Sequence, residues 1–282
     1  MPIVDIHVHC AYTNPIPESF AQYIVDNTKR DLAEFMAEFG DPRRYIALMD
    51  EHGIDYSCVL AEIAPITSGL ATNEYVAEFC AASPRLLPIC SVNPFIHHQP
   101  ARLLERLVRG QGFRGLKLYP TYAQFYPNDT KLYPVYAKAE ELGIPVQIHT
   151  GSSVFRGSRL KYGDPLFLDD VAVDFPDLTI LVTHGGRPFW YDHAFALCRF
   201  HPNVYIDVAG LPPHKLLTYF PDLPRLPGKF VFGSDWPGVP GTLGDNVAAI
   251  RALPLADEAK AAILGDTAMR LYHLEPRYAQ AT

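Results

Sequence analysis

A pair of histidines two residues apart carries the first chemical signal in this chain. Asp5-Ile6-His7-Val8-His9 reads as the end of a β-strand. Residues two apart on a strand project from the same face, so His7 and His9 can direct both imidazoles at one point. That is a geometry for binding a divalent metal. Four more polar groups sit in matching contexts: Lys117 in Gly-Leu-Lys-Leu-Tyr-Pro, His149 in Ile-His-Thr-Gly, His184 in Val-Thr-His-Gly-Gly and Asp235 in Phe-Gly-Ser-Asp-Trp-Pro. Each lies at or near the end of an apolar run. Singly, a buried lysine or histidine has a structural explanation; six such groups at run ends do not share one. Neutral imidazoles with a carboxylate suit Zn, Mn, Fe or Ni, and a coordination position left open makes such a site catalytic.

The elements that must position these groups alternate between β-rich and amphipathic stretches. Eight strands are predicted at 3–9, 56–61, 86–92, 113–119, 145–150, 178–184, 203–208 and 229–234, with helical segments between them. Helix punctuation supports the division, as where Leu142 runs into Gly143 and then Pro145. This count predicts an α/β fold, a (β/α)8 TIM-type barrel, whose catalytic groups gather at the C-terminal ends of the strands. The connections from Cys10 to about Arg30 and from Gly151 to Asp164 are long and would leave that same face, where they are expected to cover a site.

At 282 residues and 48% hydrophobic the chain can bury a large core. Barrels commonly use about 250 residues as one unit, and no linker divides the chain, so residues 1–282 are expected to form one barrel domain. No glycine-rich phosphate loop follows the first strand, which argues against a dinucleotide-binding open sheet. The 24 basic and 31 acidic residues give a net charge of -7, which argues against nucleic acid. The absence of a long apolar run or a leader-like start predicts a cytoplasmic protein with no membrane partner. Five scattered cysteines predict buried, reduced thiols.

The landmarks DIHVH, GLKLYP, IHTG, THGG and FGSDWP, in this order from residue 5 to 237, resemble the amidohydrolase superfamily. The likeness is to its amidohydrolase-related branch, with aminocarboxymuconate-semialdehyde decarboxylase-like and pyrone-dicarboxylate lactonase-like enzymes. The resemblance implies a distorted barrel with one or two divalent ions, zinc first. His7, His9 and Asp235 would bind the first ion, and His149 would bind it or a second. His184 would ligate a second metal or polarise a carbonyl, and Asp235 would be general base for bound water. A carboxylated Lys117 would bridge two ions, as in binuclear members. The full set of six places metal-dependent hydrolysis of an amide, lactone or ester first and non-oxidative decarboxylation second. A catalytically silent binding barrel is a third reading, against which the intact set speaks. The branch's usual Asn-Ala near the C-terminal helix is replaced here by Gly265-Asp266-Thr267-Ala268.

Substrate cues point to a small anion. Arg156, Arg159 and Lys161 crowd the loop after the fifth strand and Arg187 follows the Gly-Gly turn; guanidinium groups at a metal mouth suit carboxylates. Tyr119, Tyr122, Phe155 and Trp236 are candidate aromatic walls. Apolar helix faces of this kind admit a homodimer.

Overall fold

The computed structural model describes residues 1–11, 18–238 and 243–276. Eight parallel strands follow one another in chain order around one sheet: Val4–His9, Tyr56–Leu60, Leu86–Ser91, Gly115–Leu118, Val146–His149, Ile180–Thr183, Val204–Asp207 and Phe230–Val231. They are called the first to the eighth strand below. The ends of the sheet meet. The Ile6 amide donates to the Phe232 carbonyl at 3.1 Å, that of Asp235 to His7 at 2.9 Å and that of His9 to Trp236 at 2.8 Å, giving the α/β barrel that the alternating pattern predicts.

The sequence places each strand, and the departures have local causes. The eighth is shorter than 229–234 because its later amides bond elsewhere: Phe232 to the Ile263 carbonyl at 2.8 Å and Ser234 to Asp5 Oδ1 at 2.9 Å. A helix, Glu18–Thr28, and an antiparallel hairpin of Glu62–Ala64 with Gly69–Ala71 occupy stretches read as loop. Residues 12–17 of the first long connection lie outside the described residues. Between Gly151 and Asp164 a single turn, Leu160–Tyr162, interrupts the loop.

The first strand carries the irregularity on which the site rests. Val4 pairs with Tyr56 and Asp5 with Ser57, but Val8 pairs with Val59, so the register shifts between Asp5 and Val8. Below the shift Val4 and Ile6 pack with Cys58, Ile89, Leu181, Tyr205 and Val231 inside the barrel; above it Val8 joins the outer core with Ile3. The alternation therefore inverts, and His7 and His9 turn inward at the mouth. Asp5 holds this bend, its Oδ1 accepting the amides of His7 at 3.1 Å and Ser234 at 2.9 Å.

The C-terminal helical region has a π turn, Ala262–Asp266, between Asp257–Ala261 and Thr267–Leu271. That turn presents the Ile263 carbonyl to Phe232. It also explains Gly265 in the departing Gly-Asp-Thr-Ala segment, because any side chain there would overlap the Pro2 carbonyl. Among the described residues no helix is long and apolar enough to cross a membrane, and all five cysteines are buried and unpaired.

Gly265→Ala is expected to destabilise the fold by about 1–3 kcal/mol through overpacking. Gly110→Ala, where an added Cβ meets nothing within 4 Å, should instead be neutral or stabilising by up to about 1 kcal/mol. Urea unfolding of the two variants checks the contrast.

Candidate active site

The cavity at the C-terminal ends of the strands has a volume of about 280 Å³ and is lined by His7, His9, Lys117, His149, His184 and Asp235 together. These are the six groups that the sequence singles out. Among the described residues, the donor atoms of His7, His9 and Asp235 lie within 4.8 Å of one another.

Each histidine is oriented from behind. His7 Nδ1 donates to Asp207 Oδ2 at 2.8 Å and His184 Nδ1 to the Ala209 carbonyl at 2.7 Å. These partners assign the proton to Nδ1 and leave Nε2 as a lone pair. His9 Nδ1 lies 3.7 Å from Glu62 Oε2. His7 Nε2 is then 3.2 Å from His9 Nε2 and 3.3 Å from Asp235 Oδ1, which is 3.5 Å from His9 Nε2. Three atoms able to donate a lone pair thus converge on one point, where a single cation could be shared among them. His149 adds a buried Nε2 that has no hydrogen-bond partner among the described residues, with its ring 4.8 Å from that of His184. The donor set, nitrogen with one carboxylate, is what a divalent transition metal or zinc takes.

Electrostatics agree with this assignment. Burial, and next the charge of Lys117, lower His7 and His149 well below the usual histidine range; burial and Arg187 do the same to His184. All three are neutral, as ligands must be. Burial alone would raise Asp235, but the hydrogen bond of His9 and the charge of Arg187 counter it and hold its carboxyl below the usual range, so it is ionised. Burial pushes Asp207 up to about 6, with Lys117 opposing. Lys117 is pushed down to about 8 by burial, which Asp207, Asp235 and Glu62 counter.

Two of these groups stand in strained backbone, His184 at φ 64 and Asp235 at φ 61. Non-glycine residues in the left-handed region cost about 1–3 kcal/mol and concentrate at functional sites. Glycine provides the room. At Gly233 an added Cβ would lie 2.7 Å from both Asp207 Oδ1 and His7 Cβ, so only glycine lets that pair pack together.

The substrate-facing residues divide. Arg187 lines the cavity, donating Nη1 to the Gly210 carbonyl at 2.6 Å with Nη2 3.8 Å from Asp235 Oδ2. Tyr119, Tyr122 and Phe155 line it as well. Arg156, Arg159 and Lys161 are exposed and outside the lining, because the loop turns their long side chains to solvent. Trp236 also faces away: its ring packs against Phe39 at 4.4 Å and Tyr45 at 4.8 Å, an apolar pocket that suits an indole better than the polar mouth. Sequence reasoning missed Glu62, Asp207 and Tyr23. Asp207 ends the seventh strand and Glu62 follows the second by two residues, so the strand-end criterion that selects the histidines reaches both. Tyr23, on Glu18–Thr28, lines the cavity and donates to the Gly238 carbonyl at 2.6 Å; no signal in the sequence pairs those segments.

A barrel with a histidine and aspartate cluster at its C-terminal mouth is the architecture of a metal-dependent enzyme family. The chain matches the Amidohydrolase family model over residues 4–274 and belongs to that family. It is 23% identical over 292 residues to gamma-resorcylate decarboxylase of Rhizobium sp. (strain MTP-10005), covering 83% of this chain and 87% of the relative. An uncharacterized TIM-barrel protein of Bordetella bronchiseptica superposes with a TM-score of 0.74 at 23% identity, over 97% of this chain and 99% of that one. A dihydroxybenzoic acid decarboxylase of Polaromonas sp. JS666, with bound manganese and 2-nitroresorcinol, gives 0.72 at 17% identity, over 100% and 99%. These comparisons correct the sequence-based order of activities. Relatives of known activity here are decarboxylases, and a carboxy-lyase replaces the hydrolase as the primary reading. The error has a chemical cause: the same ligands serve both reactions, so donor types cannot rank them.

Asp207→Ala removes the partner of His7 Nδ1. It is expected to weaken divalent-cation binding about 10–100-fold with the far-ultraviolet circular dichroism unchanged, which competition against a chelating dye measures.

Proposed function

We propose that this chain is a metal-dependent, non-oxidative decarboxylase of a small hydroxylated aromatic acid, acting as one barrel domain. The convergence of His7 Nε2, His9 Nε2 and Asp235 Oδ1 carries the reading. The Rhizobium and Polaromonas relatives support the reaction, and the manganese of the latter supports a divalent ion, manganese or zinc, here. His7, His9 and Asp235 would hold it, with His149 as fourth donor. When bound, the ion supplies positive charge that draws a carboxylate and its neighbouring oxygen and accommodates negative charge on them.

The chain's own residues handle the proton. Loss of carbon dioxide leaves the bonding electron pair of the broken C–C bond on the ring carbon, which must take a proton in exchange. Asp235 has Oδ1 directed at the histidines and Oδ2 on the side of Arg187. Its ionised carboxylate accepts the proton of a ring hydroxyl and returns it to the ring carbon as the carboxylate departs, leaving a phenolate and carbon dioxide. Arg187 favours Asp235 as the anion before it accepts that proton and again after it has returned it, which assists the transfer onto carbon only in its completion. His184, neutral and with Nε2 available, accepts a hydrogen bond from the substrate and thereby orients it. Tyr119 and Tyr122 narrow the cavity around the ring.

Purified protein is expected to release carbon dioxide from 2,6-dihydroxybenzoate, to lose turnover on chelation and to regain it with manganese or zinc. No release from any of a panel of hydroxylated aromatic acids by metal-loaded protein overturns the reading. Asp235→Asn should keep the fold and lose about 10²–10⁴-fold in kcat, measured by product absorbance; turnover at the original rate would show that the proton travels by another group.

A further inference from the structure

Lys117 is a fully buried ammonium whose hydrogen bonding is incomplete. Its Nζ donates to Thr183 Oγ1 at 3.2 Å and lies 5.4 Å from the centroid of the Tyr119 ring. An ammonium offers three donors, and among the described residues this is the single hydrogen bond it makes. Glu62, Asp207 and Asp235 are near enough to act on its charge, yet none pairs with it within 4.0 Å among the described residues. A buried charged donor without its partners is far costlier than a neutral one, and this one lines the cavity. The remaining donors are therefore available to an anion that enters it.

The cavity also limits the shape of that anion. Tyr119 and Tyr122 stack at 5.6 Å and 19°, and Phe155 meets Tyr122 edge-on at 5.2 Å. These are walls for a flat ring. A volume of about 280 Å³ lies at the lower end of small-molecule sites, near ~300 Å³, and suits one ring with its substituents. Arg187 is partly committed, with Nη1 on the Gly210 carbonyl and Nη2 near Asp235. Lys117 is committed, among the described residues, only to Thr183.

We propose that Lys117, as a free ammonium, binds a second anionic group of the substrate, so that this site prefers a single-ring aromatic acid with two acidic groups. One of these lies at the His7, His9 and Asp235 cluster and the other on Lys117. The inference rests on the decarboxylase reading for which group reacts, but not for binding.

Calorimetric titration of metal-loaded protein with benzoate and with isophthalate, neither carrying a ring hydroxyl, tests it apart from turnover. The wild-type protein should bind isophthalate about tenfold or more tightly than benzoate, the size of one charge-assisted contact. Lys117→Met should abolish that preference, Lys117→Arg should keep part of it, and bound metal should be equal in all three. Equal affinities in the wild-type protein overturn the proposal without recourse to any variant. So does a loss of bound metal in Lys117→Met, or a carbamate carbon resonance after equilibration with ¹³C-bicarbonate, since either makes the lysine a modified metal ligand. An isophthalate preference in a protein that decarboxylates no aromatic acid would overturn the decarboxylase reading and leave the role of Lys117 standing.

Discussion

The site depends on one carboxylate oxygen at the base of the barrel mouth. Asp5 Oδ1 accepts the amides of His7 and Ser234, binding the shifted first strand to the segment after the eighth. Without the shift the inward alternation that begins at Val4 and Ile6 would continue to Val8, and both histidines would face the helices. The same bond closes the barrel where its last strand is only two residues long. Burial raises Asp5 to about 7, so this anchor is held at a cost in desolvation. Its retention in an apolar layer follows from the geometry it imposes: hydrophobic packing could fill the space but could not fix the direction of two backbone amides.

A second layer of polar groups converts that backbone geometry into chemistry. Asp207 and the Ala209 carbonyl, both from the seventh strand and its turn, fix the protons of His7 and His184 on Nδ1. A single β-to-loop transition therefore sets two imidazoles, and Gly233 and Gly210 give the room in which they and Arg187 pack. The cluster is poised because its acceptors are fixed before any ligand arrives, which is the preorganisation that electrostatic catalysis requires.

The legible part of this architecture was whatever repeats or alternates. Strands of buried apolar residues, helix stops such as Gly143 before Pro145, and histidines at run ends are each local patterns, and the sequence places all eight strands and the six central groups from them. What it missed depends on contacts between distant segments. Glu62 lies two residues beyond the second strand and meets His9 across the mouth; Tyr23 meets Gly238, 215 residues away. Trp236 was misjudged for a related reason, since adjacency to Asp235 says nothing about which side of a left-handed residue its neighbour takes. Arg156 shows the limit of charge as a cue, because a loop arginine can satisfy itself in water at no cost.

The choice of reaction was illegible for a deeper reason. Hydrolysis and decarboxylation differ in where a proton must be at the moment a bond breaks: on a leaving group in one, on a carbon in the other. As ligands, His7, His9, His149 and Asp235 would serve either, because ligand identity sets the charge of a centre and not the direction of proton flow. In the proposed reaction, direction would depend on which oxygen of Asp235 is free and on the groups facing it. Here Oδ1 meets the two histidines while Oδ2 is turned toward Arg187. The side-chain types of the six cavity residues leave that arrangement open; it is visible only in the folded chain.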